Sequence, residues 1–250
     1  MKFGKRQHSK PFVMSPSGLA VLKHVARHGI TASNVWDCPS EFAGADRTAV
    51  SKSVRELTHA GFLMRGDLHH GRFYFVLTET ACEALSVSAS KAGLMNEATK
   101  VRAYTKLLLL CNHRPELKSV ATESFSKHFG ENLRGIANRF FARPEDRQFI
   151  AFMRVDTRVQ SRPSRAGQLI RTDIYRFAKH PLLASVMKQQ SFEYIWITVS
   201  QPRADAVLAH FRKYLRIGKS PITILVLPQL IPLLVGVPIN KEFLALRTKT

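Results

Sequence analysis

Residues 46–78 read DRTAVSKSVRELTHAGFLMRGDLHHGRFYFVLT, and the hydrophobic period changes partway along them. In the first third, Val50, Val54 and Leu57 recur at i, i+4 and i+7, the spacing that lines one face of a helix. Asp46 stands where an N-cap belongs, because its carboxylate can accept from the first free backbone amides. That spacing leaves Arg47, Thr48, Ser51, Lys52 and Arg55 on the opposite, exposed face. After Gly61 the pattern turns β-rich. Phe62-Leu63-Met64-Arg65 starts one strand, Gly66 to Gly71 reads as a polar tip, and Arg72 to Leu77 returns as a second strand. Thr78 then caps a further helix over Glu79 to Leu85.

Upstream, Ser15 precedes Pro16, the preferred pairing of N-cap and first helical position, and Leu19, Leu22, Val25 and Ala26 follow at helical spacing until Gly29. A short second helix is expected from Pro39 to Ala43, with Gly44-Ala45 as the turn before Asp46. Helix, helix, helix, strand, wing, strand, helix is the layout of a winged helix-turn-helix. On the third helix, Arg and Lys can bond guanine O6 and N7 in a major groove, while Thr48 and Ser51 suit phosphates. An ordinary solvated helix face is also usually charged, and the hairpin that follows is what favours a reader of double-stranded DNA. Residues 49–57, Gly61-Phe62-Leu63 with Arg65, and Val76-Leu77-Thr78 resemble the recognition helix and wing of the multiple-antibiotic-resistance regulator type. That resemblance covers about the first third of the chain. It implies that Arg65, His69, His70 and Arg72 lie along a minor groove or phosphate backbone.

Charge and pattern divide the chain into a basic arm at 1–14, a winged-helix domain at 15–90 and a basic α/β domain at 91–250. The formal net charge is +20, which favours a polyanionic partner through counterion release. Residues 1–85 hold 11 Lys and Arg against 7 Asp and Glu, and the remainder holds 27 against 11, so most of the attraction lies beyond the reader. Ten arginines and no lysine occur between Arg134 and Arg176, at 134, 139, 143, 147, 154, 158, 162, 165, 171 and 176. Guanidinium forks grip phosphates directionally, so a surface tracking a nucleic-acid backbone is expected here. Phe140, Phe141, Tyr175 and Phe177 interleave with it and are divided between base stacking and core, at least half of them core. Val101, Tyr104, Leu107, Leu108 and Cys111 form one helical stripe, and Leu133, Ile136, Ala137 and Phe140 another. Phe149–Val155, Phe192–Val199 and Ile222–Leu227 read as buried strands separated by helices near 165–179 and 203–215, an alternation that implies an α/β sheet.

A winged helix followed by a basic α/β domain of this size resembles the replication-relaxation family of plasmid and mobile-element proteins. The resemblance implies a restriction-endonuclease-like second domain with a Glu-x-Asp on the strand at Phe149 to Val155. Here the triplet is Arg154-Val155-Asp156, so only Asp156 matches. A metal-dependent nuclease needs clustered carboxylates. Asp173, Glu193 and Asp205 have no matching lysine, and Glu116-Leu117-Lys118 is read as helical without a partner acid. The expectation is a degenerate, inactive nuclease-like scaffold in a DNA-binding accessory factor for plasmid or mobile-element replication, mobilisation or conjugative transfer. The alternatives are a transcriptional regulator with a dimerisation or ligand-sensing C-terminal domain, and a metal-dependent nuclease. Expected partners are double-stranded DNA, a second copy of the chain through the Phe-rich sheet, and a relaxase or replication protein.

No cofactor or metal is expected. Gly-rich phosphate loops and serine elbows are absent, and Cys38, Cys82 and Cys111 lack zinc-ligand spacing, which fits reduced thiols in the cytoplasm. His69-His70 has no third ligand nearby, and His24 and His28, at i and i+4, read as a coincidence of one helical turn. Met1 to Lys10 is basic without an apolar run, unlike a secretory signal. Ile222 to Ile239 is apolar, but Pro228, Pro232, Pro238 and Gln229 interrupt it. It is therefore read as a strand and a packed segment, with an interfacial membrane anchor as the minor alternative.

Overall fold

The structure, a computed structural model, describes residues 13–120, 125, 127, 129–214 and 222–235. Most of the basic arm at 1–14 and the end of the apolar run, 236–239, lie outside these residues. The chain is mixed α/β, with two separate sheets among the described residues. It forms two compact units, Met1–Leu107 and Leu108–Thr250.

In the first unit, helix α1 (Pro16–His28) begins where Ser15 Oγ accepts from the Gly18 amide at 3.0 Å. It ends at Gly29, whose φ of 82° returns its amide to Val25 O. Strand β1 (Thr31–Ala32) follows, then 3-10 turns at Ser33–Val35 and Pro39–Glu41. The second helix expected from Pro39 to Ala43 is therefore only this last turn. Ala43 and Gly44 have φ of 54° and 82°, left-handed values that no right-handed helix continues through. Helix α2 (Arg47–His59) is capped as expected, with Asp46 Oδ1 accepting from the Ala49 amide at 2.7 Å. Val21, Leu22 and Val25 of α1 and Val50, Val54 and Leu57 of α2 are buried, and the two helices pack together. Each such side chain contributes about 1.5–3 kcal/mol of transfer free energy. Ser17 Oγ and Ser53 Oγ, 2.8 Å apart, tie the two helices.

Strands β2 (Leu63–His69) and β3 (Arg72–Leu77) pair antiparallel, and β1 adds to the other side of β3. Helices α3 (Glu79–Ala84), capped by Thr78, and α4 (Glu97–Leu108) follow. The polar tip expected at Gly66 to Gly71 is shorter than that. β2 continues to His69 through a bulge between Asp67 and His69, and the turn is His70-Gly71 alone. Their φ values of 41° and 75° are both positive, as a two-residue type I′ turn requires. Gly66 serves a different purpose inside the strand. It pairs with Tyr74, and a Cβ there would stand 2.4 Å from the Tyr74 ring.

The second unit is built on a sheet of order β4-β5-β6-β7-β8: β4 (Lys118–Ser119), β5 (Phe140–Arg143), β6 (Asp146–Val155), β7 (Phe192–Thr198) and β8 (Ile222–Val226). β4, β5 and β6 pair antiparallel, whereas β6, β7 and β8 pair parallel. Helices α5 (Pro163–Ala178) and α6 (Pro181–Lys188) link β6 to β7, and α7 (Gln201–Tyr214) follows β7. Every residue of β7 is buried, which is why it reads as a continuous apolar run. Two readings are corrected. Phe140 opens β5 rather than closing a helical stripe, because the 3-10 helix Glu131–Arg139 stops before it. Glu116-Leu117-Lys118 is a turn leading into β4, not helix.

Phe140, Phe152, Phe177 and Phe192 form a chain of ring contacts at 4.9, 4.8 and 5.7 Å in the core. The Phe-rich face named as a dimer interface is thus covered within one chain. Phe141 is buried as well, and only Tyr175 of the four interleaved aromatics is exposed. Beyond β8, a 3-10 turn at Pro228–Leu230 and helix α8 (Ile231–Val235) bury Leu230 and Ile231. Among the described residues, no helix is long and apolar enough to cross a membrane.

Candidate nucleic-acid interface

Helix α2 presents the five expected side chains together. Arg47, Thr48, Ser51, Lys52 and Arg55 are all exposed, while Val50, Ser53, Val54 and Leu57 are buried. The cations differ in availability. Arg47 pairs with Asp37 at 2.5 Å, and Lys52 stands 4.0 Å from Glu56, one turn away. Both pairs are solvent-exposed, where such bonds contribute only about 0–1 kcal/mol, so a phosphate or guanine can displace them. Arg55 belongs to neither pair.

The hairpin beside α2 carries Arg65, His70 and Arg72 on its exposed surface. The Arg65 guanidinium lies over the Phe73 ring, 4.4 Å from its centre, which orients it without consuming its hydrogen-bond donors. His69 is different. It is buried, neither ring nitrogen has a partner among the described residues, and burial followed by the nearby Arg72 lowers its pKa. An imidazole turned inward is not a phosphate contact, and the bulge between Asp67 and His69 is what turns it there. Asp67, exposed on the same strand, is an acid that a bound backbone must avoid.

Lys100 escaped the sequence reading. Its Nζ donates to Asp67 O at 3.2 Å and Glu97 Oε1 at 2.8 Å, pinning the outer half of β2 to α4. Nothing in its spacing marks it, because the bond joins residues 33 apart in sequence. Glu41 also escaped. Its carboxylate accepts from His24 and His28, whose hydrogen bonds hold it well below the usual carboxylate range. Burial lowers the His24 pKa in turn.

Among the described residues of the second unit, each buried acid already holds an arginine. Asp156, the residue after β6, is 3 % exposed; its Oδ2 accepts from Arg203 Nε at 2.8 Å and its Oδ1 from the Arg158 amide at 3.3 Å. Arg154 pairs with Asp173, which also accepts from the Tyr194 hydroxyl at 2.7 Å. Burial and then that carboxylate raise the Tyr194 phenol well above its ordinary pKa, so it remains a donor. Arg114 grips Glu193 through two bonds of 2.7 and 2.8 Å. A cavity of about 220 Å³ opens at the carboxyl ends of β6 and β7, lined by Arg154, Asp156, Arg158, Ser161, Arg165 and Trp196. Arg158 and Arg165 are exposed at its mouth. The side chains of Arg134 and Arg147 lie outside the described ones. Comparison of the chain with protein-family models, with curated proteins and with solved structures gives no match.

Proposed function

We propose that this chain is a double-stranded-DNA-binding protein of the winged-helix type. In this reading α2 enters the major groove and the β2–β3 hairpin lies along the adjacent backbone. The observation that carries it is the single exposed face of Arg47, Thr48, Ser51, Lys52 and Arg55 on a helix braced by α1, beside a hairpin bearing Arg65 and Arg72. Arg55 is the principal base reader, since among the described residues no ion pair holds it back from a base edge. Arg65, His70 and Arg72 supply phosphate contacts, and His69 takes no part. The arginines at the mouth of the second unit's cavity add a phosphate-binding surface. A role in plasmid or mobile-element processing rests on the family resemblance alone.

The pairing of Asp156, Asp173 and Glu193 with arginines favours a binding scaffold over a nuclease, because a catalytic cation would have to displace a guanidinium at each, and at Asp156 that guanidinium is itself buried. The test is selection of the full chain on random-sequence duplexes at two salt concentrations, repeated with Arg55→Ala and Lys52→Ala. An enriched motif that is lost in Arg55→Ala supports the reading. Salt-sensitive retention of all sequences alike, unchanged by either substitution, overturns α2 as the reader.

A further inference from the structure

Three ligand-competent side chains converge in the first unit. His24 and His28 stand one turn apart on the buried side of α1, and the turn at Pro39–Glu41 folds a carboxylate back onto both. Glu41 Oε2 lies 3.1 Å from His24 Nδ1 and 2.9 Å from His28 Nε2. The imidazole side chains are 0 % and 3 % exposed, and Glu41 is 11 % exposed. Apolar side chains would fill the inner face of α1 at no polar cost, so two imidazoles and a carboxylate there need a reason.

We propose that His24 Nδ1, His28 Nε2 and Glu41 Oε2 form a site for one divalent transition-metal ion of the zinc class, joining α1 to the turn that precedes α2. Ligand atoms held by one tetrahedral ion at about 2.0–2.1 Å stand about 3.3 Å apart, and Glu41 Oε2 already lies within a few tenths of an ångström of that separation from each nitrogen. Two nitrogens and one oxygen suit zinc, cobalt or nickel, whereas magnesium and calcium require oxygen donors. Histidines at i and i+4 aim both rings at one point, and the third donor comes from a separate element. Three donors leave a fourth tetrahedral position for a further ligand. In a neutral ring the hydrogen moves to the nitrogen facing away from the ion, which leaves the facing nitrogen's lone pair for the metal.

Two features set the affinity below that of a closed structural zinc site. Those outer nitrogens, His24 Nε2 and His28 Nδ1, have no hydrogen-bond partner among the described residues, and such support is worth about ten- to a hundredfold in metal affinity. Arg27 Nη1 also approaches Glu41 Oε2 at 3.4 Å; its side chain is 56 % exposed and free to swing away from an incoming cation.

The test uses the full chain, free of any affinity tag and stripped with a chelator, titrated with Zn²⁺ against a chromophoric competitor and with Co²⁺ by visible absorption. Magnesium is the control. One equivalent of Zn²⁺ is expected, with the visible bands of tetrahedral cobalt and a rise in Tm. In Glu41→Gln the affinity falls at least tenfold while circular dichroism is unchanged. His24→Ala with His28→Ala abolishes binding, and Glu41→Gln alone carries the test if that double variant does not fold. Absence of a bound equivalent would mean that the trio is a hydrogen-bonded brace only. Equal affinity in the wild type and Glu41→Gln would place the ion elsewhere, and either result overturns the proposal.

Discussion

Arginine does opposite work in the two units. On α2 and its hairpin, Arg55, Arg65 and Arg72 point outward, and the pair that Arg47 makes is weak enough to exchange for a nucleic-acid partner. In the second unit Arg114, Arg154 and Arg203 turn inward, each holding an acid that is itself buried. Charge composition alone points the other way, since residues 86–250 carry most of the positive excess. A count of cations therefore does not map a phosphate-binding surface. What matters is which guanidiniums remain unspent once the internal acids are paired.

The sharpest way to break this contrast is Arg203→Met. Leaving Asp156 buried and unpaired is expected to cost about 3–5 kcal/mol of folding stability, measured by urea denaturation. Adding Asp156→Asn should restore part of it, and a neutral single variant would show that the inward arginines are dispensable. Next comes Gly66→Val. The added side chain drives into the Tyr74 ring and should cost about 1–3 kcal/mol, visible as a lower Tm. Arg55→Ala should leave Tm unchanged but weaken binding to the selected site by about 1–3 kcal/mol, whereas Arg47→Ala, already shared with Asp37, should lose less. Equal losses from the two would end the distinction between free and engaged cations on α2.

A smaller effect is expected from pH in metal-free protein. Glu41 and His24 both have folded-state pKa values below their ordinary 4.5 and 6.5, so the unfolded chain binds protons more readily. Their contribution to stability is complete above about pH 6.5. It declines as acid first protonates the unfolded imidazole, and declines further below pH 4.5 as the carboxylate follows. Glu41→Gln should flatten the lower part of a plot of Tm against pH.

Local signals in the sequence were enough for the helices α1, α2 and α3 of the first unit. Ser15 with Pro16, Gly29, Asp46 and Thr78 each act within four residues, and each cap forms where the spacing puts it. The strand at Arg72–Leu77 was likewise legible. What escaped depends on distant partners. Gly66 resembles a turn residue until Tyr74 is seen across the hairpin, and the two-residue β4 is too short to show any period. Phe140 extends the helical spacing of Leu133, Ile136 and Ala137, and its membership of β5 is set by pairing with Phe152. At the candidate interface the exposed face of α2 was readable, but the inward turn of His69 was not, since it depends on a bulge. Glu41 meets His24 and His28 from 17 and 13 residues away, and Arg203 meets Asp156 from 47.

The His70-Gly71 turn makes the hairpin a stiff finger, with no slack at its end. An already ordered tip has little freedom left to lose on docking, so capture by a duplex should be governed by diffusion and orientation, without a folding step. The same stiffness caps its reach. A finger that cannot lengthen can tolerate only a narrow range of groove widths, so under the proposed DNA-binding function local DNA geometry, apart from any base touched, would become part of what is discriminated.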